Sequence, residues 1–477
     1  MILTRLRRAP PGLRAVALYM VAIVCTKAIS LLMLPVTTAS LPPAEFARLE
    51  LLLSAAEVGM LLAGAGLVQT LYRFGAAAGE EGRRAAAEVA GLTVTIALLG
   101  CTAAVTLAIP LSRLFPMPVS GVEVALLGIL VAVEAAVDIP LTWFRMQGRA
   151  THFAAVVVGR TLLQATLMAT LLLAGYGVTG IMLAAAAAAT LTAAGLTVSQ
   201  ARNTGLRLAP KAWGGLLVYG MPLIGGGFAS FVLGTADRWF LVGAVTPETL
   251  AHYALAAKLA AVTVVFVQPF DLWWSAQRLQ VLAASGGAER TAQVVGTGAA
   301  LTVLACATMA LAGPLLIAVA TPPAYHAAGA YMPWLVAAVG LQVMSHLVDV
   351  GCYLGRTGAR PLALNSLAAA VALLGYVLLI PRWGVEGAIA ATLAAQAVRF
   401  AAFHHVSRRH APIAYPLCRI GLMAAAAASA SVLPQILPPG PTVAAGLVAL
   451  AALTALGLAL RLLPSPGRMA QRMAASA

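Results

Sequence analysis

Charge is what this sequence lacks. Of 477 residues, 15 are Asp or Glu and 30 are Lys or Arg, so 9% are charged, against roughly 25% in ordinary soluble domains. A chain so poor in charge cannot cover a water-facing surface, which excludes a water-soluble globular fold. Cysteine is also scarce. Cys25, Cys101, Cys306, Cys352 and Cys418 are odd in number, lie in or beside apolar runs and form no C-x-x-C pair. A disulfide framework and a cysteine metal cluster are therefore not expected. The chain has no H-E-x-x-H, no phosphate-cradling Gly-rich loop and no Ser-His-Asp arrangement. We therefore expect no catalytic residue, no metal site, no cofactor and no ATP hydrolysis.

What is present is apolar: 61% of residues are hydrophobic, and the mean hydropathy is +0.93. The expected fold class is all-α integral membrane protein. A spanning helix needs roughly 20 apolar residues, and about fourteen runs qualify: roughly 13–35, 47–71, 86–110, 119–142, 151–174, 178–200, 214–238, 249–272, 292–320, 329–354, 361–380, 384–404, 416–434 and 442–463. Arg5-Leu6-Arg7-Arg8 before the first run imitates a signal peptide. No small-residue cleavage site follows, and the run is long enough to span, so it is read as the first membrane helix.

The net charge of +15 would suit nucleic acid, but the bases sit in short loops between apolar runs. Every second connection is basic: Arg73, Arg83 and Arg84; Arg145 and Arg149; Arg202, Arg207 and Lys211; and so on to Arg461, Arg468 and Arg472. The alternate connections hold little more than Arg48, Arg113 and Arg382. The positive-inside bias then predicts both termini in the cytoplasm, an even helix count and no nucleic-acid partner. Reporter fusions after Arg84 and after Arg113 are expected to report opposite sides, with Arg84 inside. The same side for both would overturn this topology.

The segment from Gly148 matches the segment from Gly355 without a gap. Gly148-Arg149 meets Gly355-Arg356, and Tyr176-Gly177-Val178-Thr179-Gly180 meets Trp383-Gly384-Val385-Glu386-Gly387. Tyr19 and Tyr219, and Glu45 and Glu248, echo each other more weakly. Six helices per half put both halves in one orientation. That predicts two pseudo-symmetric six-helix lobes around a central cavity, related by an axis along the membrane normal. The expected division is residues 1–210 for the first lobe, 211–410 for the second, and 411–477 for two extra helices and a cytoplasmic tail. The second half opens on GMPLIGGGFASFVLGTADRW, residues 220–239. Its Pro and three Gly permit a bend or close helix approach, and an acid and a base stand side by side at its far end.

Several motifs then stand in order: Gly64 and Gly66, with Leu67 through Tyr72-Arg73-Phe74; Gly220-Met221-Pro222 with Asp237-Arg238-Trp239; Ala251-His252-Tyr253-Ala254 with Lys258-Leu259-Ala260; and Gly355-Arg356-Thr357, Asn365 and Pro381 through Ala388. Over nearly the whole chain this pattern resembles the polysaccharide and O-antigen flippases, within the multidrug/oligosaccharidyl-lipid/polysaccharide exporter superfamily. Ala47 and Ala251 stand where that family often has Gly, and Trp383 where it often has Tyr, so the subfamily stays open. The resemblance implies translocation of a polyprenyl-diphosphate-linked glycan from the inner to the outer leaflet of a bacterial cytoplasmic membrane.

Three cations lie deep in apolar runs: Lys27, Arg160 and Lys258, with Glu57 at similar depth. They suit a water-filled cationic cavity that receives a diphosphate. The competing role is helix-to-helix pairing, such as Lys27 with Glu57. Asp237-Arg238 falls near the outer end of its run, as an outer gate or, preferably, a static ion pair. Glu134, Asp138, Asp271 and Asp349 are acids toward the inner half, suited to proton or sodium coupling or, preferably, to pairing with nearby Arg. Arg73 and Arg399, close to cytoplasmic helix ends, are expected to snorkel or to bind lipid headgroups. Trp273-Trp274 is expected to be an interfacial belt, and His346 a satisfied buried histidine.

A cation-coupled multidrug exporter of the same superfamily is the alternative, but it would favour acids at mid-depth, where this chain is mostly basic. A membrane-embedded polymerase or glycosyltransferase needs acidic catalytic residues on sizeable outer loops, and the loops here are short. Expected partners are the lipid-linked glycan, membrane lipids, H+ or Na+ as coupling ion, and polysaccharide polymerase machinery.

Overall fold

A computed structural model describes residues 11–64, 66–77, 79–221, 224–354, 359–432, 436 and 439–463. Among them the regular structure is entirely helical. Arg5, Arg7, Arg8, Pro222, Gly355, Arg356, Thr357, Arg468 and Arg472, which the sequence reading uses, lie outside the described residues.

Eleven helices are long and apolar enough to cross a membrane, or twelve if the pair Pro210–Gly220 and Ile224–Gly234, bent by 50°, is one span. The apolar runs predict about fourteen. The difference lies near the end of the chain. Leu417–Ala430 is a shorter apolar helix, and Ala359–His410 is counted once although two helices meet in it at a sharp break. At about 1.5 Å per residue that helix would reach more than twice the roughly 30 Å bilayer core if straight. It is broken at Gly384, where φ is 55° and ψ −124°, a conformation that strains any residue with a Cβ. Gly177, its partner in the internal match, has φ 53° at the start of the Gly177–Asn203 helix. The two matched turns therefore share a left-handed glycine.

Two compact units are present, Met1–Phe231 and Val232–Ala477. The first runs past residue 210, where the sequence leads one to expect a lobe to end, because the Pro210–Gly220 helix packs on Leu67–Phe74 and Glu80–Thr106. Its densest packing joins Glu80–Thr106 to Gly121–Met146, and small residues explain why. A Cβ on Gly100 would stand 2.7 Å from the Cβ of Ala132, and one on Gly128 would stand 2.5 Å from the Cβ of Ala104. A Gly-x-x-x-Ala face on each antiparallel helix lets the backbones close up, the packing mode available where lipid gives no hydrophobic drive. Gly121–Met146 starts on a complete capping box of Ser120 and Glu123. Buried Glu123 also meets Arg48 at 3.4 Å and accepts a bond from Thr179 at 3.3 Å, so one acid ties three helices at that end. The core behind it holds Leu52, Val137, Met182 and Ala189.

In the second unit, Val262–Ala283, Gly287–Ala320 and Met332–Leu347 pack in sequence order, and Leu417–Ala430 and Pro439–Ala459 lie against Gly287–Ala320. Trp274 is fully buried in this core, with Val295, Leu347 and Phe403, while Trp273 is 49% exposed. Only Trp273 can therefore serve as a belt residue. Neighbours on a helix point about 100° apart, and here the core takes one of them.

Candidate functional site

Arg160 is the eleventh residue of the Ala150–Leu173 helix, about 15 Å along it. Its guanidinium is held by Glu134 of the Gly121–Met146 helix in a two-pronged contact, Nη1 to Oε1 at 2.9 Å and Nη2 to Oε2 at 2.7 Å. Both side chains are 18% exposed. This parallel-fork geometry is the strongest an Arg makes with an anion. Asp138 follows Glu134 by one turn on the same helix and is exposed. Below it, Arg145 donates to Thr142 Oγ1 at 2.8 Å and stands 5.5 Å from the Phe153 ring and 6.0 Å from the Tyr72 ring. Phe153 in turn packs edge-on against Tyr19. Charges of both signs thus line the first unit from mid-helix toward its basic end.

Lys27 lies in the Pro11–Ser40 helix, exposed, and makes no ion pair among the described residues. The structure does not join it to Glu57, which is also exposed. Lys258 is exposed near the end of Pro247–Ala260. Arg160 is thus neutralised by the Glu134 carboxylate. The Glu134 contact joins residues far apart in sequence, and only the (i, i+4) acids Glu134 and Asp138 hinted at it.

Asp237 and Arg238 are buried in the second unit, at 5% and 6% exposure. The Asp237 carboxylate takes a bond from the Tyr253 hydroxyl on Oδ2 and one from the Arg238 backbone N–H on Oδ1 at 2.8 Å. The Arg238 guanidinium reaches the same Oδ1 at only 3.4 Å. The side-by-side pair is therefore the lesser contact. Tyr253, in the next helix, is the partner that fixes the acid. Nearby, the Tyr376 hydroxyl meets Thr392 Oγ1 at 3.1 Å.

Toward its other end, the second unit buries Asp349 against Arg278, Nη1 to Oδ1 at 2.6 Å, with Arg278 over the Tyr353 ring at 4.1 Å. Arg399 is not a snorkelling side chain. It is 6% exposed, and its Nε donates to Asn365 Oδ1 at 2.8 Å while Nη2 meets His346 Nε2 at 3.4 Å. A buried guanidinium needs such partners, and two neighbouring helices supply them. Arg73 is exposed and lies 5.7 Å from the Tyr219 ring. No group of three or more His, Cys, Asp or Glu able to hold a metal occurs among the described residues.

The sequence profile of the family described as Polysaccharide biosynthesis protein matches residues 13–270. No curated protein matches the sequence. Among solved structures, one titled Lipid II flippase MurJ, inward closed conformation, superposes with a TM-score of 0.72 at 8% identity, covering 93% of this chain and 98% of that one. An inward-facing MATE family multidrug transporter of the MOP superfamily gives 0.60 at 14% identity, over 81% and 94% of the two chains. The MATE multidrug transporter DinF-BH gives 0.58 at 15% identity, over 82% and 94%. At such identities the likeness speaks for the fold. With the profile covering more than half of the chain, it places this multi-pass membrane protein in the polysaccharide biosynthesis family, on the transporter fold shared by MurJ and the MATE exporters.

Proposed function

We propose that this protein moves a polyprenyl-diphosphate-linked oligosaccharide from the inner to the outer leaflet of the bacterial cytoplasmic membrane by alternating access. The observation that carries the reading is the placement of Lys27, Arg160 and Lys258 on apolar membrane helices. A diphosphate has no solvation in hydrocarbon, and neither has an isolated cation, which costs roughly 2.5–3.5 kcal/mol at a helix centre on insertion scales. Bringing the two together relieves both costs. Glu134 occupies the Arg160 fork and supplies the same two-oxygen geometry as a phosphate. Substrate then exchanges one anion for another at the Arg160 guanidinium, which stays paired throughout. Asp237, Arg238 and Asp349, held by Tyr253 and Arg278, bind no sugar in this scheme. They brace the second unit or respond to a coupling H+ or Na+. The six-helix division at 210 and 410 and the inward termini belong to the same proposal.

The test is a flippase-null strain complemented with the triple variant Lys27→Ala, Arg160→Ala, Lys258→Ala. Surface polysaccharide per unit of membrane protein is expected to be lost, with the lipid-linked intermediate accumulating on the inner leaflet. Normal polysaccharide from that variant would remove the mechanism. Dye efflux by the wild type, with no change in polysaccharide on deletion, would instead favour a multidrug exporter.

A further inference from the structure

We propose that a cavity in the first unit binds the headgroup of an aminophospholipid, its phosphate on arginines and its primary ammonium on Glu80 and Glu81. The cavity measures about 530 Å³, and its polar lining is Glu80, Glu81, Arg83, Arg84, Thr204 and Arg207. That volume falls within the roughly 300–1,000 Å³ usual for small-ligand sites.

The place fits a headgroup. Glu80 begins one membrane helix and Asn203 ends another, so the cavity lies where apolar spans give way to loops. The positive-inside bias accounts for arginines at such a position. It accounts neither for a concave site nor for two acids within it. The lining carries three cations and two carboxylates, nearly balanced, which is the pattern of a zwitterion.

The walls are fixed before any lipid arrives. Arg83 Nη2 donates to the Asn203 carbonyl at 2.7 Å, and Arg84 Nε to Glu88 Oε1 at 3.0 Å. The Arg207 backbone N–H donates to the Ala87 carbonyl at 3.0 Å. That docking depends on Gly91, whose Cβ, if present, would stand 2.1 Å from the Arg207 carbonyl oxygen. The backbone of Arg207 is thus clamped while its exposed side chain engages no carboxylate among the described residues. Its fork is open to a phosphate. Glu80 and Glu81 are exposed acceptors. A primary ammonium offers them three N–H donors, a choline headgroup offers none, and a glycerol headgroup leaves both carboxylates uncompensated beside a phosphate.

The experiment is lipid titration of the purified full chain, read by native mass spectrometry, with phosphatidylethanolamine, phosphatidylcholine and phosphatidylglycerol of identical acyl chains. Phosphatidylethanolamine is expected to bind about tenfold more tightly than either competitor, the worth of one charge-assisted hydrogen bond. Arg207→Ala weakens binding of all three lipids. The pair Glu80→Gln and Glu81→Gln removes the ethanolamine preference and strengthens phosphatidylglycerol. All three side chains are exposed, and unchanged melting of each variant is the control for folding. Equal or tighter binding of phosphatidylglycerol by the wild type, or binding indifferent to these substitutions, would overturn the proposal. So would undecaprenyl diphosphate outcompeting phosphatidylethanolamine in an Arg207-dependent way, because the phosphate would then come from a lipid carrier.

Discussion

Asp237→Ala destabilises the unit of residues 232–477 by roughly 1–3 kcal/mol, the cost of leaving a buried donor without its acceptor. Asp237 accepts from the Tyr253 hydroxyl and from the Arg238 N–H, with the Arg238 guanidinium at the edge of contact. Removing the carboxylate leaves the buried Tyr253 hydroxyl facing an apolar methyl, while the Arg238 guanidinium keeps its contact with the Gly234 carbonyl. Asp237→Asn keeps an acceptor for Tyr253 and is milder. Tyr253→Phe removes one donor without stranding a charge, and is expected to cost about 1–2 kcal/mol. Exchange of the two neighbours, Asp237→Arg with Arg238→Asp, is expected to behave like Asp237→Ala, because Tyr253 and the backbone amide cannot follow the carboxylate to position 238. Thermal unfolding of the purified variants in one detergent checks the order. A swap as stable as the wild type would show that mutual pairing dominates after all.

The second large effect is on transport. Arg160→Ala reduces surface polysaccharide per unit of membrane protein by roughly 10- to 100-fold, given about 1.5–3 kcal/mol for hydrogen bonds to a charged group. Arg160→Lys keeps the charge and loses the fork that Glu134 reveals, so it recovers only part of the activity. Glu134→Gln leaves the guanidinium without its resting anion, and membrane abundance is expected to fall. The double variant Glu134→Gln with Arg160→Gln removes both charges together. It is expected to restore abundance without restoring polysaccharide, which separates the bracing role of the pair from its role toward substrate. Polysaccharide at wild-type level from the double variant would assign Arg160 to structure alone. Immunoblotting of membranes alongside polysaccharide staining reads both quantities in one strain.

Scarcity of charge and the long apolar runs were enough to determine an all-helical membrane protein, because lipid admits few other ways to satisfy a backbone. The matched aromatic-Gly-x-x-Gly turns were also legible, since a left-handed backbone needs Gly, and Gly177 and Gly384 have φ 53° and 55°. The number of separate spans was less so, because two helices abut without a loop at Gly384 and Leu417–Ala430 is short. The partners of the charges were decided by tertiary structure alone. Arg160 and Glu134, Tyr253 and Asp237, Arg278 and Asp349, and Arg399 and Asn365 each meet across helices. In a soluble helix the polar stripe tells which face looks inward. These helices are apolar nearly all round, so sequence gives the depth of a charge along its helix and not the direction in which it points. Only packing, through small-residue contacts such as Gly100 on Ala132, sets the rotation that brings each acid to its base.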